Sequence, residues 1–479
     1  MRAALGITNS LSSVSKFISD WTPWAMLVTY GTFSFFAFVA MPDEAHSIVW
    51  YILALLQTFV TLTVLTEALQ SVQPNVQARR QLRKSIRQQD YPELDIRQCP
   101  HIDLCIVAYL PNERDIIVQQ VKYAAREINY PKNKFTVNVV YNTPHEIQPT
   151  ESDLEALQRQ DKNVRIVKVP NSKSKAANIN HFLSLPDTKG DIITVLDTDH
   201  FCEPNALRWV AHRFQKGDVD IVQGRCCIYN VEHSFLTRMV AAEFDTIYGV
   251  FHPGRASLHG YGLFGGSNGH WSASLLKTLK MDGSMLTEDI DSTLRALTSQ
   301  ARVAYDLKVI TYEQAPITTR GLLRQRLRWA QGWTQVTIRH TIPALKLGVH
   351  GSFWRSRMGL FFLLSFRELY FHLVLQLFFL IVSSFITNPP HTWDQLYSSF
   401  VGFKLSVWML ALNAVAIFVC TCITLRNRSA FVSALDIVVF GFFSPIYFTI
   451  VSFMAIFGHF RQFAGYSVWN VTERKRSSV

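Results

Sequence analysis

Two aspartates one residue apart, at the end of an apolar run, are the sharpest chemical signal in this chain. The run 194-TVLDTDH-200 puts Asp197 and Asp199 where a buried strand would stop. Hard divalent cations take oxygen ligands and often combine one or two carboxylates with the phosphates of a bound molecule. Ninety residues after Asp199 stands 286-LTEDID-291. Thr287, Glu288 and Asp289 read as a helix start, a threonine cap followed by acidic residues that suit the helix dipole. Asp289, ionised at neutral pH, also has the chemistry of a general base for a hydroxyl proton. Thirty-six residues further lies Gln325, and on a helix Gln325, Arg328 and Trp329 share a face. A guanidinium can grip phosphate oxygens through two parallel bonds, and an indole offers a flat wall with one N–H donor. Each motif also has a plain structural reading: a solvated acidic turn, a helix cap, an interfacial helix.

The elements that must carry these residues follow from hydrophobic patterning. Short apolar runs, 102-IDLCIVAY-109, 135-FTVNVVY-141, 164-VRIVKV-169 and 191-DIITVLD-197, alternate with polar helix-like stretches. Runs of that length between helices predict buried parallel strands, whose carboxyl ends are where ligands bind in open α/β sheets. The stretch 320-RGLLRQRLRWAQGW-333 has Arg320, Arg324 and Arg328 every four residues, which predicts an amphipathic helix on a bilayer surface.

Apolar stretches near 24–41, 48–66, 358–386, 405–424 and 431–457 approach the ~20 residues a helix needs to span a bilayer. The first linker carries Asp43 and Glu44, whereas Arg79, Arg80, Arg83, Lys84 and Arg87 follow the second stretch. The positive-inside rule therefore puts the middle of the chain in the cytoplasm, and no cleaved signal peptide is expected. Arg367 and Glu368 suggest an interfacial portion in the third stretch, and Arg474, Lys475 and Arg476 leave the side of the C-terminus open. The expected organisation is two membrane helices over 1–70, a cytoplasmic catalytic domain over 71–318, interfacial helices over 319–357, and C-terminal membrane helices with a short tail over 358–479.

A net charge of +11 suits an anionic membrane surface, since the cations sit beside apolar spans and no basic, aromatic-interleaved helix points to nucleic acid. Seven cysteines without metal-ligand spacing predict reduced, mostly buried thiols.

Asp-x-Asp, then Thr-Glu-Asp, then Gln-x-x-Arg-Trp, between flanking apolar spans, resembles the family 2 membrane glycosyltransferases, which include cellulose and hyaluronan synthases. The resemblance covers about residues 100–335. It implies an α/β fold of the GT-A nucleotide-sugar-binding type with N- and C-terminal transmembrane helices, a UDP-sugar donor, Mg²⁺ or Mn²⁺, and inversion in a single displacement. Asp199 is then the metal ligand with Asp197 beside it, also contacting the nucleotide. Asp289 is the base, with Glu288 next to it in the catalytic set. Gln325, Arg328 and Trp329 hold the diphosphate and the acceptor end. In 175-KAANIN-180, Lys175 matches the basic residue near the donor phosphates, and in 109-YLPNE-113, Tyr109 and Glu113 match the uridine edge. The stretch 264-FGGSNGHW-271, with Gly266, Ser267 and Asn268, matches the acceptor-side loop. One departure is 139-VVYNTP-144, where Asn142 stands in place of the family's acidic turn and can accept a hydrogen bond from a base but brings no charge.

Within that family, 173-KSKAANIN-180, 222-VQGRCCIYN-230, 252-HPGRASLHGYGLFGGSNGHW-271 and 328-RWAQGW-333 resemble the cyanobacterial members that glucosylate diacylglycerol. That implies transfer of glucose from UDP-glucose to 1,2-diacylglycerol, a membrane-lipid acceptor, in a multi-pass protein of the plasma or thylakoid membrane. The same motifs serve processive β-polysaccharide synthases, which stand as the alternative. Glucose against galactose and the oligomeric state stay open.

Overall fold

The computed structural model describes residues 2–89, 91–92, 97–347, 353–401 and 406–466; the tail cations Arg474, Lys475 and Arg476 lie outside the described residues. The chain opens with α1 (Arg2–Val39) and α2 (Asp43–Gln70), and α3 (Val72–Gln88) continues after Ser71. An eight-stranded sheet follows, with strands β1 (Ile102–Tyr109), β2 (Phe135–Asn142), β3 (Val164–Lys168), β4 (Ile192–Asp197), β5 (Phe201–Cys202), β6 (Ile221–Ile228), β7 (Gly269–Ser272) and β8 (Val303–Glu313). The helices that matter to the site are α4 (Lys175–Ser184), α5 (Glu288–Thr298) and α6 (Thr319–Leu347). The long helices toward the C-terminal end are α7 (Arg367–Thr387), α8 (Ser406–Asn427) and α9 (Ala434–Phe463).

The sheet order is β3-β2-β1-β4-β7-β6-β8-β5. The strands read from sequence, β1 to β4, pair in parallel as predicted. Successive residues of β1 and β4 serve two cores: Leu104, Ile106, Ile192 and Leu196 pack into one, Cys105, Val107, Ile193 and Val195 into the other. Burial on both faces is why these strands read as unbroken apolar runs. The other half of the sheet is mixed, with β7 antiparallel to β4 and β6, and β6 parallel to β8. Register levels the carboxyl ends, pairing Val107 with Asp197 and Tyr109 with Asn142, so one edge presents Tyr109, Asn142 and Asp197 together.

Among the described residues, five helical stretches are long and apolar enough to cross a membrane: Asp20–Val39, Asp43–Gln88, Trp354–Thr387, Ser406–Asn427 and Ala434–Phe463. They coincide with the five apolar stretches of the sequence. Charged contacts tie them to the sheet domain. Arg255 donates from Nε to Glu67 near the end of α2, 3.2 Å away. On β6, Arg225 Nη2 reaches Asp245 Oδ1 and the main-chain oxygen of Asn427 at the end of α8, each at 2.7 Å. All seven cysteines are free and six are buried, as composition suggested.

The expected surface-lying helix is more enclosed than its arginine spacing implied. α6 packs against α5 on one side and α9 on the other. Arg320 is exposed and Arg324 and Arg328 are half-buried, but Gln325 and Arg326 are buried. Arg326 can be buried because Nη2 donates to Glu243 and its guanidinium lies 4.4 Å from the Trp329 ring centroid. Ion-pair and π partners offset the desolvation that would otherwise hold this helix at the surface. Close packing with α9 is possible because Gly458 lacks a side chain: a Cβ there would sit 3.0 Å from Ala330 Cβ.

Candidate active site

The site builds up from α4. Ser174 takes the N-cap position with its Oγ accepting from the Ala177 N–H at 3.1 Å, which starts the helix at Lys175. The Lys175 ammonium donates to Asp197 Oδ1 at the end of β4 and to the main-chain oxygen of Gly266. Burial by itself would lower its pKa, but the negative charges of Asp197, Glu288 and Asp289 outweigh it and raise the pKa, so the lysine stays charged. Asp197 is fixed further by its own N–H, which donates to Ser267 Oγ at 3.1 Å.

Asp199, two residues on, is only 2% exposed. Its Oδ2 accepts from the Gln314 N–H at 3.1 Å, and its Oδ1 lies 3.5 Å from His200 Nδ1. The other face of that imidazole, Nε2, is 3.1 Å from Glu313 Oε2. Burial would depress His200, yet the Glu313 charge and the bond to Asp199 hold its pKa well above the ordinary imidazole value. Asp197, Asp199 and His200 can each offer one ligand atom with all three within 4.8 Å of one another. The two carboxylates suit a small divalent cation, whereas an imidazole that keeps both its protons has no lone pair to offer one.

The Thr-Glu-Asp segment meets this cluster from the other side. Glu288 is pushed up to about 7, by burial first and by the Asp289 charge second. Burial also raises Asp289, against the pull of Lys175 and Arg328. Two neighbouring carboxyls that resist ionisation together are the usual sign of a site that handles a proton. Gly266, at φ +92°, makes room for them: a Cβ there would lie 2.9 Å from Asp289 Oδ2. Thr287 occupies the N-cap position of α5, but its hydroxyl makes no cap bond, contrary to expectation. Its side chain is instead wedged against Gly332 of α6, where a Cβ would fall 2.5 Å from Thr287 Cγ2. The Leu286 N–H donates to Gln335 Oε1 at 2.9 Å across the same seam. This seam sets Glu288 and Asp289 close enough to Arg328 for its charge to act on both. Gln325 is buried with its Oε1 unpartnered among the described residues.

Sequence motifs far apart in the chain thus converge: Lys175, Asp197, Asp199, Glu288, Asp289 and Arg328 surround one place. Other sequence-predicted residues sit differently. Asn268 is 0% exposed, with Nδ2 donating to the main-chain oxygens of Arg225 and Val309 and Oδ1 bonded to His270, so it braces strands and cannot face an acceptor. Ser267 acts through Asp197, and Gly266 is the member of that loop beside the carboxylates. Asn142 Oδ1 already accepts from Asn178 at 2.8 Å, while its amide donates to the Ser172 oxygen. Glu113 bonds the Tyr109 N–H at 2.6 Å, closing the short turn after β1. Trp329 is half-buried and packs near Phe244 and Arg326. His200, Glu313, Gln314, Gly332 and Gln335 were not singled out from sequence. Only the residue next to Asp199 carried a local signal, a ligand-type side chain extending Asp-x-Asp.

Residues 100–332 match a family model described as glycosyltransferase like family 2. The β-monoglucosyldiacylglycerol synthase of Synechocystis is 26% identical over 244 residues, which is 50% of this chain and 50% of that protein. The chain thus spans about half the length of that relative. The poly-β-1,6-N-acetyl-D-glucosamine synthase of Staphylococcus epidermidis is 23% identical over 367 residues, 70% of this chain and 85% of that one. Among solved structures, the mannosyltransferase PcManGT of Pyrobaculum calidifontis, in complex with GDP-Man and Mn²⁺, superposes with a TM-score of 0.50 at 16% identity, covering 79% of this chain and 99% of its own, a likeness of fold.

Proposed function

We propose that this chain, whose residues 100–332 form a family 2 glycosyltransferase domain of GT-A-like fold, moves glucose from UDP-glucose to 1,2-diacylglycerol with inversion, giving a β-linked monoglucolipid. The observation that carries the reading is the meeting of Lys175, Asp197, Asp289 and Arg328 beside a helix that is itself packed on a membrane-length helix. The catalytic domain faces the cytoplasm, following the cations after α2.

In the proposed step the acceptor hydroxyl oxygen attacks glucose C1 in line with the leaving group. Asp289 takes the hydroxyl proton, the C1–O bond breaks, and UDP departs with the electron pair. General-base help of this kind contributes ~10²–10⁴-fold. Lys175 and Arg328 place positive charge where the diphosphate gains negative charge, and Gln325 offers its free carboxamide oxygen to the donor or acceptor. Asp197 and Asp199 would hold Mg²⁺ or Mn²⁺, which would add Lewis-acid stabilisation of the diphosphate. Tyr109, Glu113 and Asn142 sit at the strand ends where the uridine would lie, Trp329 flanks the acceptor side, and Glu288 keeps the Asp289 side of the site from holding two charges at once.

The membrane helices suit a lipid acceptor, because exposing an acyl chain to water costs ~0.8 kcal/mol per CH₂. The test is transfer of label from UDP-[¹⁴C]glucose and UDP-[¹⁴C]galactose in membranes that overproduce the protein. A chloroform-soluble glucolipid, lost in Asp289→Asn with UDP affinity retained, is the expected result. An ethanol-precipitable polymer instead would establish the polysaccharide alternative, and an Asp289→Asn variant keeping more than about a tenth of wild-type activity would remove Asp289 as base.

A further inference from the structure

A cavity of about 460 Å³ opens where two membrane-length helices end. Its volume falls in the ~300–1,000 Å³ range of small-molecule sites. It is lined by Arg79, Arg80, Arg83, Lys84 and Arg87 of α3, with Arg426 from the last turn of α8 and Val76 at one end. No lining residue is acidic.

The geometry of α3 explains why its cations gather here. Residues 76, 80, 83 and 87 recur at i, i+3 and i+4, so they form one stripe. The opposite stripe is used for packing: Asn75, Ala78 and Ser85 are buried, and Asn75 Nδ2 donates to the Gly249 oxygen at 2.7 Å. Fastened on one face, α3 cannot roll its arginines apart. Arg79 is drawn closer still to Arg426, donating from Nη1 to that residue's main-chain oxygen at 2.6 Å, while its Nε is buried without a partner among the described residues. Arg80, Arg83, Lys84, Arg87 and Arg426 stay exposed to solvent, and like charges held this close on one surface favour an anion that joins them.

We propose that this cavity binds the phosphate headgroup of an anionic glycerophospholipid from the leaflet on the catalytic side. A lipid rather than a free anion is favoured by position. The cavity begins where α2 and α8 leave the apolar zone, and α3 runs from exposed Val72 and Val76 to the arginines, matching a lipid's passage from glycerol to headgroup. Basic pockets at such exits are suited to anionic headgroups. The next residue after Arg426 is Asn427, whose main-chain oxygen accepts from Arg225 on β6, so an occupant would also fasten the sheet domain to the bilayer. None of the lining residues belongs to the sugar-transfer site, and the proposal stands whichever sugar and acceptor that site uses.

The test uses the full-length protein in neutral detergent and reads its thermal unfolding midpoint with three probes: short-chain phosphatidylglycerol, phosphatidylcholine of the same chain length, and inorganic phosphate. Phosphatidylglycerol should raise the midpoint by at least about 2 °C, and the other two should not. The shift should vanish in Arg80→Gln/Arg83→Gln/Arg87→Gln and persist in the matching lysine variant. Should the glutamine variant fail to fold, Arg83→Gln alone should raise the half-saturating lipid concentration at least about fivefold, roughly 1 kcal/mol by mass action. No shift in the wild-type protein, an equal shift with inorganic phosphate or phosphatidylcholine, or an undiminished shift in the glutamine variants would overturn the proposal.

Discussion

Gly332→Ala should slow sugar transfer by roughly 10²-fold while leaving the protein folded. The added Cβ would fall 2.5 Å from Thr287 Cγ2, 2.8 Å from its Oγ1 and 3.1 Å from its Cβ. Carbon atoms in contact prefer ~3.5–4.0 Å, so the seam between α6 and the Thr-Glu-Asp segment must open by about 1 Å. Overpacking of that size costs ~1–3 kcal/mol, but alanine in place of glycine inside a helix returns ~1 kcal/mol, so the net loss of stability is small. The rate is more sensitive, because Glu288 and Asp289 follow Thr287 directly while Arg328 lies one turn before Gly332 on α6. A displacement of about 1 Å between reacting groups is enough to cost ~10²-fold. Thr287→Ala supplies the control: its hydroxyl makes no cap bond, so the single variant should transfer at close to the wild-type rate. The double variant Thr287→Ala/Gly332→Ala removes the two nearest atoms and should regain at least about tenfold over Gly332→Ala, a coupling of ~1.4 kcal/mol. The assay is the initial rate of label transfer in proteoliposomes, with thermal unfolding measured in parallel. A Gly332→Ala protein with an unaltered rate, or a double variant no faster than the single one, would refute the claim that this seam positions the carboxylates.

Lys175→Met should cut transfer by ~10²–10³-fold, the usual cost of losing one preorganised charge at a developing anion, and Lys175→Arg should restore little because the buried spot between Asp197 and Gly266 fits a compact ammonium. Gly266→Ala combines a left-handed φ of +92° with a Cβ 2.9 Å from Asp289 Oδ2, and should lower both the unfolding midpoint, through ~1–2 kcal/mol of backbone strain, and the rate. The acidic limb of kcat/KM should lie above the ordinary carboxylate range, since Asp289 must lose its proton to act and burial raises it; a limb within the ordinary range in a pH profile would count against Asp289 as the base. A folded-state pKa raised from 4.5 to about 7 makes Glu288 increasingly destabilising as pH climbs from 4.5 to about 7, and fully so above that, so Glu288→Gln should gain more in unfolding midpoint at pH 8 than at pH 5.

Chemistry was easier to read from the chain than the means of holding it in place. Asp197, Asp199, Glu288, Asp289 and Arg328 stand out because acidic pairs and a guanidinium beside apolar runs are locally unusual, and the four parallel strands stand out because both their faces are buried. Two strands of the mixed half had no such signal: β5 has 2 residues and β7 has 4, too short for any period to register. The resemblance put Asn268 in the acceptor-side loop, and only the strands folding around it showed its amide engaged with Arg225, Val309 and His270. Likewise the His200–Glu313 contact joins residues 113 positions apart by sequence number, and nothing local marks its Glu313 end. The arginines of α6 followed an amphipathic rule, but the rule did not know that Glu243 would come to meet Arg326.

α6 belongs to two bodies at once. It completes the candidate site of the sheet domain by bearing Arg328 and the glycine that seats Thr287, and it begins the set of long apolar helices by lying on α9. Anyone wishing to excise a water-soluble catalytic fragment therefore has no clean place to cut. Severing the chain at residue 318 would discard Arg328 and the Gly332 seat of Thr287, and severing it after 347 would carry along a flank shaped to fit a long apolar helix.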